Sequence, residues 1–144
     1  MKNLLIIAVL ILASLTVTAT SKVTDYVITK EGTVYYKSVK FGADTGFLTC
    51  LTQDGVTSKI KRAEILGFRR EAAVFERKPI IMNNQVCENC DFMEILSIKN
   101  DMKVCKYMVK ETNGDYTAKL FVFKNDKYIT TITKQMLEKI IKFA

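Results

Sequence analysis

Hydrophobic and polar residues alternate along the chain in short runs separated by turn signals, a pattern that predicts strands over most of its length. The early runs are VTDYVIT (23–29), TVYYKSVKF (33–41), GFLTCLTQ (46–53) and VTSKI (56–60). In the second, Tyr35, Val39 and Phe41 fall on one face while Ser38 and Lys40 fall on the other, the period of a half-buried strand. Asp54-Gly55 lies between two such runs and signals a hairpin, because glycine accepts the positive φ of a tight turn. KRAEILGF (61–68) reads as a short helical turn running into a further strand. AAVFERKPI (72–80) is extended up to Pro79, which cannot donate to a ladder and so marks an edge or a strand end.

A loop follows, and the pattern then resumes as FMEILSI (92–98), KVCKYMVK (103–110), YTAKLFVFK (116–124) and KYITTIT (127–133). The turn signals Asn100-Asp101, Asn113-Gly114-Asp115 and Asn125-Asp126 between these runs favour a second antiparallel meander. In YTAKLFVFK, Ala118, Leu120 and Val122 point one way and Phe121 and Phe123 the other, so this strand is expected to be covered on both faces. The last segment, KQMLEKIIKF (134–143), supplies a cover. Thr133 can cap a helix, Met136, Leu137, Ile140 and Ile141 form its apolar stripe, and Lys139 and Lys142 suit its C-terminal end. If the stripe is core, Ile140→Asp should destabilise the whole domain.

The expected fold class is therefore mainly β (α+β): antiparallel meanders, the first with its helical closure fitting a small SH3-like barrel, followed by a second antiparallel sheet with a C-terminal helix. Residues 20–144 read as a single compact domain. The loop after Pro79 is the one place where it would divide, into 20–80 and 81–144, but it lacks the Pro, Gly and Ser richness of a linker.

The first residues have another character. Met1-Lys2-Asn3 leads into an uncharged run from Leu4 to Leu12 and then into small and polar residues, the three parts of a secretory signal peptide (1–19). The run is about half the ~20 residues a membrane-spanning helix needs. Val17-Thr18-Ala19 places cleavage after Ala19. The expectation is an exported protein, periplasmic or extracellular, without a transmembrane segment in its mature chain. Export argues against nucleic acid as a partner. With a formal charge of +7, it points instead to an unknown protein or an acidic envelope component.

The sequence contains no histidine, which excludes Ser-His-Asp and Cys-His catalysis and His-based zinc sites together. It also lacks a glycine-rich phosphate loop and a serine elbow, so neither a cofactor nor a metal is expected. Four cysteines remain: Cys50, Cys87, Cys90 and Cys105. A thiol-disulfide oxidoreductase would use Cys87 as nucleophile and Cys90 as resolving partner. Such a site wants a parallel strand before the pair and a helix after it, whereas Asn83, Asn84, Gln85 and Val86 precede this pair and a strand follows. Zinc held by all four thiolates would need better spacing than one C-x-x-C and two lone cysteines. The remaining reading makes all four disulfide candidates in an oxidising compartment. The favoured pairing, Cys87 with Cys90 and Cys50 with Cys105, is worth roughly 2 and roughly 4 kcal/mol by chain entropy, and the two long bridges from the Cys87/Cys90 loop are nearly as good.

Two further groups carry chemistry. Lys61, Arg62, Arg69 and Arg70, with Phe68 and Phe75 interleaved, are candidates for an anion or partner surface, against the plainer reading that Glu64, Glu71 and Glu76 neutralise part of a solvated face. Glu88, Asp91 and Glu94 surround the cysteine pair, but acids close in sequence more often solvate a loop than face each other across a cleft.

DYVITKEGTVYYKSVKF, AEILGF, FMEILSIKNDMKVCKYMVKE and LFVFKNDKYITTITKQMLEKIIKF together resemble small exported proteins of Gram-negative bacteria whose function is uncharacterised. The resemblance is one of pattern over most of the mature chain, most specific at its end, and the cysteine pair is not part of it. It implies a β-rich architecture and export, and supplies no catalytic residues. The expected function is a non-catalytic exported binding or envelope-associated module, with thiol-disulfide exchange through Cys87 and Cys90 as the alternative.

Overall fold

A computed structural model describes residues 24–41 and 46–142; the signal-peptide assignment and its cleavage point lie outside the described residues. The strands are β1 (Asp25–Thr29), β2 (Gly32–Tyr36), β3 (Ser38–Phe41), β4 (Phe47–Leu51), β5 (Thr57–Lys61), β6 (Ile65–Arg70), β7 (Ala73–Met82), β8 (Gln85–Lys99), β9 (Met102–Lys110), β10 (Tyr116–Lys124) and β11 (Lys127–Ile132). A 3-10 turn at Arg62–Glu64 precedes β6, and one helix, α1 (Lys134–Lys142), follows β11. Eight strands form one sheet in the order β11-β10-β9-β8-β7-β6-β1-β2, and β3-β4-β5 form a second. Every pairing is antiparallel. The mainly β class with a C-terminal helix is thus observed.

The SH3-like barrel is not. TVYYKSVKF breaks at Lys37, whose N–H turns to Leu51 O (2.8 Å), so its halves enter different sheets. A tight turn at Glu71 (φ 56°) then hands β6 to β7, and the large sheet extends outward instead of closing on β5. The buried Asp25 carboxylate holds this junction by accepting the N–H groups of Val39 (2.9 Å) and Glu71 (2.7 Å). β7 runs from Ala73 to Met82 within the large sheet, so residue 80 marks no boundary between sheets.

Three hairpins turn on two residues with both φ values positive: Asn83-Asn84, Asn100-Asp101 and Asn125-Asp126. Asn and Asp tolerate this conformation better than other non-glycine residues, and such turns match the twist of the strands they join. The first of them shows that the segment read as a loop around the cysteines is the opening of a fifteen-residue strand.

The core has three parts. Where the small sheet lies on the large one, Val27, Val39, Leu48, Cys50, Ile65, Phe68 and Phe92 are buried together. Phe68 stacks on Phe75 with centroids 4.7 Å apart and meets Phe92 edge-on at 5.3 Å. The double-sided strand is β10. Phe121 and Phe123 join Ile81, Met93 and Cys105 on one side, and Leu120 and Val122 join Val104 and Ile132 on the other, with Leu137 of α1 against them.

Thr133 caps α1, its Oγ1 accepting the Met136 N–H at 3.3 Å. The expected apolar stripe is not core, however. Only Leu137 packs on the sheet, while Met136, Ile140 and Ile141 stay 48%, 37% and 55% exposed. Ile140→Asp therefore strikes no core position.

Candidate functional site

The large sheet forks. β8 and β9 pair from Lys99↔Met102 as far as Glu94↔Lys106 and then part. Beyond that point Gln85–Phe92 of β8 pairs with β7 alone, and Tyr107–Lys110 of β9 with β10 alone. The cause lies in β7 and β8. Between the pairs Pro79↔Cys90 and Ile81↔Val86, Ile80 faces Cys87, Glu88 and Asn89, a bulge that bends the ribbon. Pro79 fits there because β6 pairs with β7 only as far as Glu76, leaving Pro79 with a strand on one side. The bent ribbon crosses β9 and β10 to reach β11. Ile81 packs with Phe121 and Phe123, and Asn84 Oδ1 accepts hydrogen bonds from Tyr128 Oη (3.2 Å) and Thr131 Oγ1 (2.9 Å).

A groove of about 710 Å³ occupies the fork. Phe41, Phe75 and Phe92 give it an aromatic wall, Ile80–Asn83 of the arm line one side, and Tyr107–Lys110, Tyr116 and Lys119 line the other. Asp91 is its polar centre. It forms an ion pair with Arg62, accepts the Tyr107 hydroxyl (2.9 Å on Oδ2), and takes the Phe92 N–H on Oδ1 (2.8 Å). The Arg62 guanidinium lies 4.7 Å over the Phe41 ring and 5.8 Å from the Phe92 centroid, and the Arg77 guanidinium lies 5.1 Å from the Phe92 centroid. Glu94 and Lys106 form an ion pair at the root of the fork. Burial, with the hydrogen bond to Asp91 and its charge, pushes the Tyr107 phenol up to about 12 against the opposing Arg62. It stays a neutral donor across the neutral range.

A second concavity, of about 570 Å³, lies among Asp25, Lys37, Lys40, Arg70 and Glu71. Arg69 and Arg70 stand at this end of β6, with Arg69 Nε on Glu71 O (3.2 Å) and Arg70 beside Phe75. Lys61 and Arg62 stand near the opposite end, roughly 17 Å along the strand. The four cations proposed as one anion surface are therefore divided between two places, and Arg62 belongs to the groove.

All four cysteines are free thiols. Cys50 and Cys105 are buried in different core clusters, so the expected bridge between them is absent for want of proximity. Burial pushes each thiol up to about 11. Cys87 is half-buried and Cys90 exposed, both in β8 beside an antiparallel partner, with no helix after them. What holds the two layers together is apolar packing and not sulfur. Among the described residues no group of three or more His, Cys, Asp or Glu is arranged to hold a metal ion, and no helix is long and apolar enough to cross a membrane.

Of the acids read as loop solvation, Asp91 organises the groove and Glu94 pairs with Lys106, while Glu88 is exposed on the bulge. Tyr107, Phe92 and Lys106 were not singled out from sequence. The one available signal was Phe92 and Tyr107 lying near Asp91 in adjacent strands. Comparison of the chain with protein-family models, curated proteins and solved structures finds no match.

Proposed function

We propose that this is an exported, non-catalytic binding module whose ligand occupies the groove in the fork of the sheet. The observation that carries this reading is the groove's composition. A wall of phenylalanines faces lysine-bearing strand ends, and a polar centre is already neutralised by its own ion pair, the arrangement of an apolar pocket with a few fixed polar groups. Its volume falls in the range of about 300–1,000 Å³ usual for ligand sites. The ligand is amphipathic, with an apolar or aromatic part for Phe41, Phe75 and Phe92 and anionic groups for Lys106, Lys110 and Lys119.

Several features favour binding over turnover. Asp91 and Glu94 are engaged by Arg62 and Lys106, Tyr107 holds its proton far above neutrality, and the sequence has no histidine. Export rests on the signal-like residues 1–19 and fits an acidic envelope component or protein as partner, in the periplasm or outside the cell. Thiol-disulfide exchange through Cys87 and Cys90 is the second reading. Exposure of Cys90 favours it, and the lack of a helix after the pair counts against it. Insulin reduction abolished by Cys87→Ser would promote it.

The groove is tested with anilinonaphthalene sulfonate, an aromatic anion of matching chemistry. The folded protein should enhance its fluorescence, and Met108→Asp combined with Lys110→Glu, both on the rim, should abolish the enhancement with the fold intact by circular dichroism. An unchanged response in that variant would place the ligand elsewhere.

A further inference from the structure

The fork leaves a strand edge uncovered, and the direction of its backbone groups follows from one hydrogen bond. Glu111 N–H donates to Asp115 O on the β10 side at 2.7 Å. Peptide groups along an antiparallel strand face alternate sides, so Tyr107 and Val109 turn toward β10, whereas Lys106, Met108 and Lys110 turn toward β8. Lys106 meets Glu94 there, the last pair of the β8–β9 ladder. Among the described residues no strand pairs with Met108 and Lys110 on that side. Across the gap, the Phe92 N–H is taken by the Asp91 side chain in place of a strand.

We infer that the groove admits an extended polypeptide segment, which adds as a strand to the Tyr107–Lys110 edge of β9. This deepens the binding reading and rests on it. Backbone groups of Met108 and Lys110 supply the pairing, as in other recognition by strand addition, and side chains of the incoming segment then point alternately in two directions. One row meets the apolar wall of Phe41, Phe75 and Phe92. The other meets Lys119, the cross-strand partner of Tyr107, whereas Lys106 and Lys110 stand on the face of the wall. The fitting ligand is a segment in which apolar and acidic residues alternate. A small amphipathic anion would use the wall and the lysines but leave the edge unpaired. A lysine-studded edge next to a bulge also serves to prevent strand pairing, so the experiment has to separate the two roles.

The full chain, labelled with nitrogen-15, is titrated with a blocked octapeptide of alternating valine and glutamate. Strand addition slows hydrogen exchange at the Met108 and Lys110 amides. The same peptide methylated on alternate backbone nitrogens should bind about tenfold more weakly, since each methyl removes a pairing donor. Met108→Pro removes an edge N–H without touching the β10 ladder and should weaken the unmethylated peptide several-fold, whereas Met108→Ala should not. Equal binding of both peptides, or binding with no slowing at Met108 and Lys110, overturns strand addition and leaves the groove reading in place. Failure of the octapeptide to bind overturns strand addition as well. If the rim variant also leaves the dye response unchanged, the groove reading falls with it.

Discussion

The Tyr107 hydroxyl donates to Asp91 Oδ2 across 2.9 Å, spanning the mouth of the fork just where β8 and β9 stop pairing. It ties the two sides at the point of separation. Tyr107→Phe removes one partly buried hydrogen bond and should cost about 0.5–1.5 kcal/mol in a urea titration. It should also speed amide exchange at Val109, whose N–H faces β10, by more than at the Phe121–Cys105 pairing. Uniform acceleration would show that the bond does not act locally.

Phe68 and Ile140 test where the core lies. Phe68 is 1% exposed between Phe75, Phe92 and Phe41, and Phe68→Ala should cost about 3–5 kcal/mol. Ile140→Asp, at a side chain that is 37% exposed on α1, should cost less than about 1 kcal/mol. Thermal midpoints of the two variants check the contrast, and similar losses would contradict the exposed placement of the helix stripe.

Gly67 sits opposite Glu76 where β6 pairs with β7. A Cβ there would stand 2.8 Å from the Phe75 carbonyl oxygen, and backbone has nowhere to retreat. Gly67→Ala should cost about 1–3 kcal/mol by forcing the two strands apart, read as a lowered urea midpoint with unchanged slope.

Thiol reactivity should separate into two classes. At pH 8 a thiol reagent should label Cys90 and Cys87 in the folded protein, and Cys50 and Cys105 only on unfolding, because burial holds the latter two protonated up to about 11. Their raised values contribute stability that is fully present below the unfolded thiol pKa and lost as pH rises through about 11. Labelling of Cys50 in the native state would contradict its burial.

A charge cluster sets the acid side. Buried Lys78 contacts Glu76 (2.9 Å) and Asp126, and Lys103 reaches both Glu76 oxygens at 2.8 Å. Burial acts to raise the Glu76 pKa, but hydrogen bonds from Lys103 and Lys78 outweigh it and hold it below the usual value. The hydrogen bond from Lys78 lowers Asp126 likewise. A lowered carboxylate stabilises the fold above its unfolded pKa and ceases to do so as pH falls through the folded one. Stability should therefore decline below the ordinary carboxylate range, and Lys78→Met should flatten that decline. Urea midpoints between pH 7 and pH 3 decide it.

The strand content, the double-sided β10 and the Thr133 cap were legible in the sequence because each depends on local period and local hydrogen bonding. The break at Lys37 was not, because a single lysine on the face of Tyr35, Val39 and Phe41 is compatible with one long strand and only distant partners pull its halves apart. The Asn83-Asn84 turn was within reach, as two residues that accept positive φ, but the cysteines drew the reading toward a loop. α1 misled for another reason. An amphipathic stripe reports that a helix has two unlike faces, and says nothing of which neighbour covers the apolar one. The groove depends on a bulge that turns a ribbon aside, and no residue in its wall is unusual by itself.

The pairing of β1 with β6 has a consequence in time. Val27 meets Phe68 only after most of the first half has been traversed, whereas β9, β10 and β11 each meet the strand just before them around a tight turn. Closing a long loop forfeits chain freedom before any contact rewards it. Pulse-labelled hydrogen exchange during refolding should therefore find the C-terminal hairpins protected before the β1–β6 pairing that seals Phe68 from water.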